Sequence, residues 1–245
     1  MENFDILDTI VNSCTRDQLI SKAELALSQK KKSYHFLSIN PIKIIRSHND
    51  SKLKSYIDKA DIVYPDAIGV CVAMNLLYGI NQERIPGYEF HFDVLELCEK
   101  YGYGIYIIGS KQKVLMSSIK KYQNKYPRLK LVGFNDGYFD EKYFFKKILK
   151  NISQKKPELV LVAMGAKLQE KYIEIIRSNV NVPLLMGIGG SLDAFVGNAP
   201  RAPKWMLKIG LEWFFRLLMQ PWRYKAMLPL PIFAYKILKR KIFGR

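Results

Sequence analysis

The 245-residue sequence lacks any apolar run near the roughly 20 residues that a helical membrane span requires, so no crossing helix is expected. Its opening MENFDILDTI is acidic, where a secretory leader would be basic and then apolar. Both features lead us to expect a chain that stays in the cytoplasm. Cysteine is scarce: Cys14, Cys71 and Cys98 are odd in number, widely spaced and set among apolar residues, a pattern of reduced core thiols rather than a disulfide framework or zinc site. The three histidines, His35, His48 and His91, have no ligand-like spacing, and there is no Asp-X-Asp triplet to chelate a nucleotide-bound cation. No metal or other cofactor is therefore expected. A Walker pattern is missing, and no Gly-X-Gly-X-X-Gly follows the first strand candidate, which argues against a dinucleotide enzyme.

Acidic residues are nearly missing from one segment. From Arg201 to Arg245 eleven Lys and Arg face the single acid Glu212, so more than half of the formal +17 charge lies in the last 45 residues. All three tryptophans lie there as well. A segment both basic and aromatic suits an anionic membrane interface or a nucleic acid. The nucleic-acid reading leaves Asp66 and Asp193 at strand ends unexplained, since both would repel phosphates, and we expect no nucleic-acid partner.

With 49% hydrophobic residues the chain can build one sizeable core. Short apolar runs alternate with segments of helical period. HFLSIN (35–40), DIVYP (61–65), GIYIIG (104–109), KLVGF (130–134), ELVLVAM (158–164) and PLLMGIG (183–189) read as strands. Helices are expected over 41–60, 67–79, 88–102, 111–126, 141–154 and 168–179. This alternation predicts an α/β fold, a mostly parallel sheet with helices on both faces. Ligands of such sheets bind at the carboxyl ends of the strands. A boundary is expected near Asn198, where NAPRAPKW carries two prolines, dividing a core (1–199) from a basic, aromatic appendage (200–245). KWMLKIGLEWFFRLLMQ reads as one apolar helix ended by Pro221. A last helix after Pro231 gathers Phe233, Ala234, Ile237, Leu238 and Ile242 on one face, to lie in a membrane interface or to dock on the core.

The polar residues worth weighing stand at the strand ends. Asp66 follows DIVYP, where a carboxylate serves either as a helix cap or as a base. Ser38 and Asn40 end the preceding strand and converge on it. Arg84 in ERIPGYE, taken alone, reads as a solvated charge. Gly109 and Ser110 form a strand-to-helix turn that favours anions. Asn135, Asp136 and Gly137 form another turn, Gly165, Gln169 and Glu170 a third, and Gly187, Gly189, Gly190 and Asp193 a fourth. Together they describe a cleft rimmed by glycines and amide donors. Arg216 and Arg223 are the tail cations suited to fork onto phosphate oxygens.

SINP, YPDAIGV, RIPGYE, IIGSKQKV, GFNDGYF, MGAKLQEKYI, GIGGSLDAFVGNAPRAPKW and GLEWFFRLLMQPWRY, in this order from about Ser33 to about Lys225, resemble the WecG/TagA/CpsF glycosyltransferases, or glycosyltransferase family 26. The resemblance implies a Rossmann-like core with a C-terminal membrane-associating appendage, the GT-E arrangement. It also implies an inverting, metal-independent transfer, typically of an N-acetylmannosamine-type residue, from a UDP-sugar donor to an undecaprenyl-diphosphate-linked amino sugar. The pathway implied is synthesis of bacterial surface polysaccharide or teichoic acid linkage units, at the anionic inner face of the plasma membrane; a homo-oligomer is left open. By matching motif, Asp66 takes the place of the catalytic base and Ser38 that of a threonine. Arg84, Gln169 and Asp193 take donor-site positions, and Arg216 and Arg223 those of appendage arginines that reach the diphosphate. Two departures bear on donor choice and leaving-group stabilisation: MGAKLQE lacks the family's proline, and QPWRYKAM carries fewer arginines than many relatives.

Overall fold

The computed structural model describes residues 1–199, 202–208 and 210–244, except the side chains of Lys204, Lys208, Arg216 and Arg223. The two residues at the expected boundary, Pro200 and Arg201, lie outside the described residues.

The chain opens with an antiparallel hairpin of β1 (Glu2–Asp5) and β2 (Ile10–Ser13), followed by α1 (Arg16–Gln29). Thr15 and Gln18 cap α1 reciprocally, side chain to backbone in both directions. The sheet strands are β3 (Tyr34–Ile39), β4 (Ile62–Pro65), β5 (Gly104–Gly109), β6 (Lys130–Asn135), β7 (Leu159–Ala163) and β8 (Leu184–Gly187). They form one six-stranded sheet, all parallel, in the order β4-β3-β8-β7-β5-β6. All six apolar runs read from the sequence become its strands.

The connections are helical. α2 (Pro41–His48) and α3 (Ser51–Asp58) join β3 to β4; α4 (Ile68–Tyr78) and α5 (Gly87–Tyr101) join β4 to β5; α6 (Gln112–Lys125) joins β5 to β6. Between β6 and β7 run α7 (Glu141–Tyr143), a π-helical stretch (Phe144–Leu149) and α8 (Lys150–Lys155), and α9 (Ala166–Asn179) leads to β8. After β8 come α10 (Ser191–Val196), α11 (Lys204–Lys208), α12 (Glu212–Met219), a 3₁₀ turn (Pro221–Arg223), α13 (Tyr224–Met227) and α14 (Pro229–Phe243).

Successive strand residues point to opposite faces, so each strand feeds two cores. Phe36, Tyr64, Ile107, Leu161 and Met186 pack with α1, α5 and α6. On the other face Leu37, Ile39 and Val63 pack with α2, α3 and α4, while Ile108, Val162 and Leu185 pack with the π-helical stretch, α8 and α9. Cys14, Cys71 and Cys98 are buried free thiols.

Two expected helices are broken. The 41–60 segment divides at Asn49, because Asp50 turns its carboxylate onto the Leu53 amide (3.1 Å) and starts α3. The apolar segment 204–220 divides at Gly210, which has φ +74° and lies so close to Ile68 that a Cβ would sit 2.4 Å from its side chain. Only glycine fits there. That contact seats the appendage on the start of α4, two residues beyond Asp66.

α14 docks. Phe233 and Ile237 are buried in the same core as α2 and α4. Lys236 Nζ lies 3.0 Å from His48 Nδ1, and Arg240 pairs with Asp5 at 3.1 Å. Of the expected apolar face, Ala234, Leu238 and Ile242 remain exposed. Among the described residues no helix is long and apolar enough to cross a membrane.

Candidate active site

The carboxyl ends of β3, β4, β7 and β8 open into a cavity of ≈ 680 Å³ whose other wall is the appendage. Ser38, Asn40, Asp66, Arg84, Gly165, Gln169, Gly189 and Gly190, all read from the sequence as site residues, line it. The appendage contributes Gly210, Glu212 and Trp213 from the start of α12 and several residues of α14.

Asp66 is held by two hydrogen bonds. Its amide donates to the Ile39 carbonyl (3.0 Å), extending the β3–β4 register by one residue. Its Oδ1 accepts the Gly87 amide (2.7 Å), the first residue of α5. The N-cap of the adjoining α4 is Ala67, without a side-chain cap. Asp66 therefore caps not its own helix but the neighbouring one, while lining the cavity. Burial raises its pKa above the ordinary carboxylate value; the Gly87 amide opposes this, Glu212 adds to it, and Lys43 and Arg84 oppose it. Below Asp66 lies Tyr64, fully buried, whose hydroxyl shares a hydrogen bond with Ser38. α5 approaches so closely that a Cβ on Gly87 would stand 3.2 Å from the Tyr64 hydroxyl and 3.3 Å from the Ser38 Cβ.

Beside this pair is a buried polar network that sequence reading missed in part. Lys43 Nζ donates to the Ser38 carbonyl (2.8 Å) and to Glu170 Oε1 (2.9 Å). His35 Nε2 stands 3.0 Å from Glu170 Oε2. Gln169 Nε2 donates to Glu170 Oε1 (3.0 Å), while its Oε1 accepts the Gly189 amide (2.9 Å). Gln169 is thus clamped from both ends, over Gly187, where any Cβ would collide with it at 2.3 Å. Burial pushes the Glu170 carboxyl up, but Lys43, His35 and Gln169 outweigh it and hold the pKa at about 2. Asn40 caps α2 by accepting the Lys43 amide at 2.9 Å, so its carbonyl oxygen is committed to structure. Lys43 and His35 left one signal in the sequence, each a polar residue inside an otherwise apolar stretch.

The other five expected residues gather beside the cavity rather than in it. Gly109, Ser110, Asn135 and Gly137 stand at the ends of β5 and β6, and Asp193 reaches them from α10. Ser110 Oγ donates to Asp193 Oδ2 (3.3 Å), the Gly137 amide to the Ser110 carbonyl (2.8 Å) and the Tyr106 hydroxyl to Asn135 Oδ1 (2.5 Å). Gly109 has φ +124° and a Cβ would lie 2.3 Å from the Ala163 carbonyl oxygen. Ser110 follows at φ +61°, a left-handed conformation that costs a non-glycine residue about 1–3 kcal/mol and clusters at functional sites. Gly189 and Gly190 line the cavity and lead directly into α10, so the two groups adjoin. The side chains of Arg216 and Arg223 lie outside the described residues. Among the described residues no group of three or more His, Cys, Asp or Glu side chains is placed to hold a metal ion.

A model of the glycosyl transferase WecG/TagA/CpsF family matches residues 4–245. An N-acetylglucosaminyldiphosphoundecaprenol N-acetyl-beta-D-mannosaminyltransferase of Bacillus subtilis (strain 168) is 34% identical over 204 residues, 83% of this chain and 78% of that protein. A protein of the same name from Bacillus spizizenii (strain ATCC 23059 / NRRL B-14472 / W23) is 27% identical over 241 residues, 98% of this chain and 91% of its own length. The cavity with its carboxylate at the end of β4 thus belongs to a glycosyltransferase, a member of the WecG/TagA/CpsF family.

Proposed function

We propose that the enzyme moves a sugar, of the N-acetylmannosamine type, from a UDP donor to an amino sugar carried on undecaprenyl diphosphate, with inversion and without a metal ion. The observation that carries this reading is the half-buried Asp66 carboxylate, fixed through one oxygen by Gly87 and lining a cavity that the basic appendage walls. The names of the two relatives supply the acceptor class and the sugar.

In one displacement Asp66 takes the proton of the acceptor hydroxyl, whose oxygen bonds to the anomeric carbon from the side opposite the leaving group. The carbon–oxygen bond to UDP breaks and its electron pair departs with the diphosphate. A positioned base of this kind contributes 10²- to 10⁴-fold in rate. Burial raises the Asp66 pKa and so makes the carboxylate a stronger base. Arg84 lines the cavity and acts electrostatically on Asp66, and Arg216 and Arg223 complete the positive charge that stabilises departing UDP. Ser38 and the clamped Gln169 shape the sugar pocket. The turns holding Ser110, Asn135, Gly137 and Asp193 take the nucleotide end of the donor.

We further propose that residues 1–199 act as the catalytic core and 200–245 as an appendage that holds the enzyme to the anionic inner face of the membrane. The exposure of Trp205, Trp222 and Phe243, at 61, 72 and 71%, beside so many basic residues supports it. The test is the product. Proton NMR of the new glycosidic linkage should show the anomeric configuration opposite to that of the donor, and EDTA should leave the rate unchanged. Retention, or loss of the rate with EDTA and recovery with a divalent ion, would overturn the corresponding part of the proposal.

A further inference from the structure

The cavity has two ends of unlike chemistry. Among the described residues, the charged groups lining it are Lys43, Asp66, Arg84 and Glu212. The other three all act electrostatically on Asp66, so the charge is gathered at one end. Away from it the walls are Val72 and Leu76 of α4 on one side and Leu230, Ala234 and Leu238 of α14 on the other. Both sets recur every fourth residue and so form one stripe on each helix. From Leu230 to Leu238 the stripe follows about 12 Å of helix axis.

These stripes are not closed against each other. Val72 is 48% and Leu238 53% exposed, although α14 is anchored one helical edge away by buried Phe233 and Ile237. The result is an apolar groove that begins beside the catalytic carboxylate. Four residues beyond Leu238 the stripe continues to Ile242, 71% exposed at the end of α14. A single exposed leucine needs no explanation. A two-sided apolar trough running from a base to the protein surface is shaped for a ligand that is polar at one end and an extended hydrocarbon at the other.

We propose that the α4–α14 groove binds the first isoprene units of the acceptor's polyprenyl chain and leads the chain from the site to the exposed end of α14. This rests on the lipid-diphosphate acceptor reading above. It makes the appendage part of the acceptor site, with the chain length near the diphosphate read by protein rather than by the bilayer alone.

The experiment is steady-state kinetics without detergent or vesicles, on GlcNAc-diphosphate acceptors bearing a methyl, a geranyl or a farnesyl group. The wild-type KM should fall about tenfold from methyl to geranyl, which the burial of roughly two methylene groups supplies. Ala234→Trp fills the groove from an exposed position; it should raise the geranyl and farnesyl KM about tenfold and leave kcat and the methyl KM within about twofold. Val72→Thr, on the opposite wall and of nearly equal volume, should act in the same direction to a smaller extent even if the tryptophan variant fails to fold. Equal KM values for the three acceptors, or an equal effect of Ala234→Trp on all of them, would overturn the groove while leaving the acceptor class intact. Absence of transfer to every one of them would overturn the acceptor class itself.

Discussion

Asp66→Asn separates chemistry from architecture. The amide oxygen can still accept the Gly87 N–H that Asp66 Oδ1 accepts at 2.7 Å, so folding and UDP binding should persist while turnover falls at least about a hundredfold, the lower limit for a positioned base. A variant retaining more than about a tenth of the rate would remove Asp66 from that role. In the wild type, kcat/KM should fall with acid through an apparent pKa above 3.8, the ordinary value from which burial raises Asp66. Glu170 moves oppositely. Its folded pKa of about 2 lies below the 4.5 of an unperturbed glutamate, so its contribution to stability is full above pH 4.5 and is lost as the pH falls from there toward 2. Glu170→Gln leaves the Lys43 ammonium buried without its counter-charge and should cost about 3–5 kcal/mol at neutral pH. Urea titrations of both proteins should show that difference narrowing below pH 4.5; a constant gap would contradict the assigned pairing.

At the scale of elements, the six strands were legible because a parallel sheet buried on both faces makes each strand a continuous apolar run. The hairpin and α1 were not read: β1 holds no buried residue and β2 only Val11, so their apolar signal is faint. The breaks at Asn49 and Gly210 were missed for a different reason. Both depend on a single local interaction, Asp50 with Leu53 and Gly210 with Ile68, that leaves the helical period on either side intact. The site followed the same division. Strand-end residues such as Ser38 and Asp66 are expected at a cleft from their position in an α/β sheet, and both line the cavity, whereas the partnership of Lys43, His35 and Glu170 joins three segments and has no linear signature. The appendage yields its own prediction. Replacing Arg216 and Arg223 together with alanine should sharply lower the rate on a soluble short-chain acceptor and leave binding to anionic vesicles nearly intact, since surface attraction is about 1 kcal/mol per basic residue. A near-normal rate would move leaving-group stabilisation to Arg84 and the core.

Across the whole molecule, charge and apolar surface are distributed to one purpose. The sheet carries Asp66, the glycine turns and the buried network, while the last 45 residues carry most of the positive excess and every tryptophan. Because α12 and α14 also wall the cavity, the proposed membrane-binding segment is also part of the candidate site. Sedimentation with anionic vesicles should therefore be strong at low salt and weaken as salt rises, and neutral vesicles should bind less. Sugar transfer to the lipid-linked acceptor is the activity proposed. The most direct test incubates the purified full chain with a panel of UDP-sugars and a GlcNAc-diphosphate-polyprenyl acceptor and reads products by mass spectrometry. One N-acetylhexosamine should be added to the acceptor, with UDP-N-acetylmannosamine the preferred donor. Release of UDP without any gain of mass by the acceptor, or transfer only to acceptors that lack the lipid diphosphate, would contradict it.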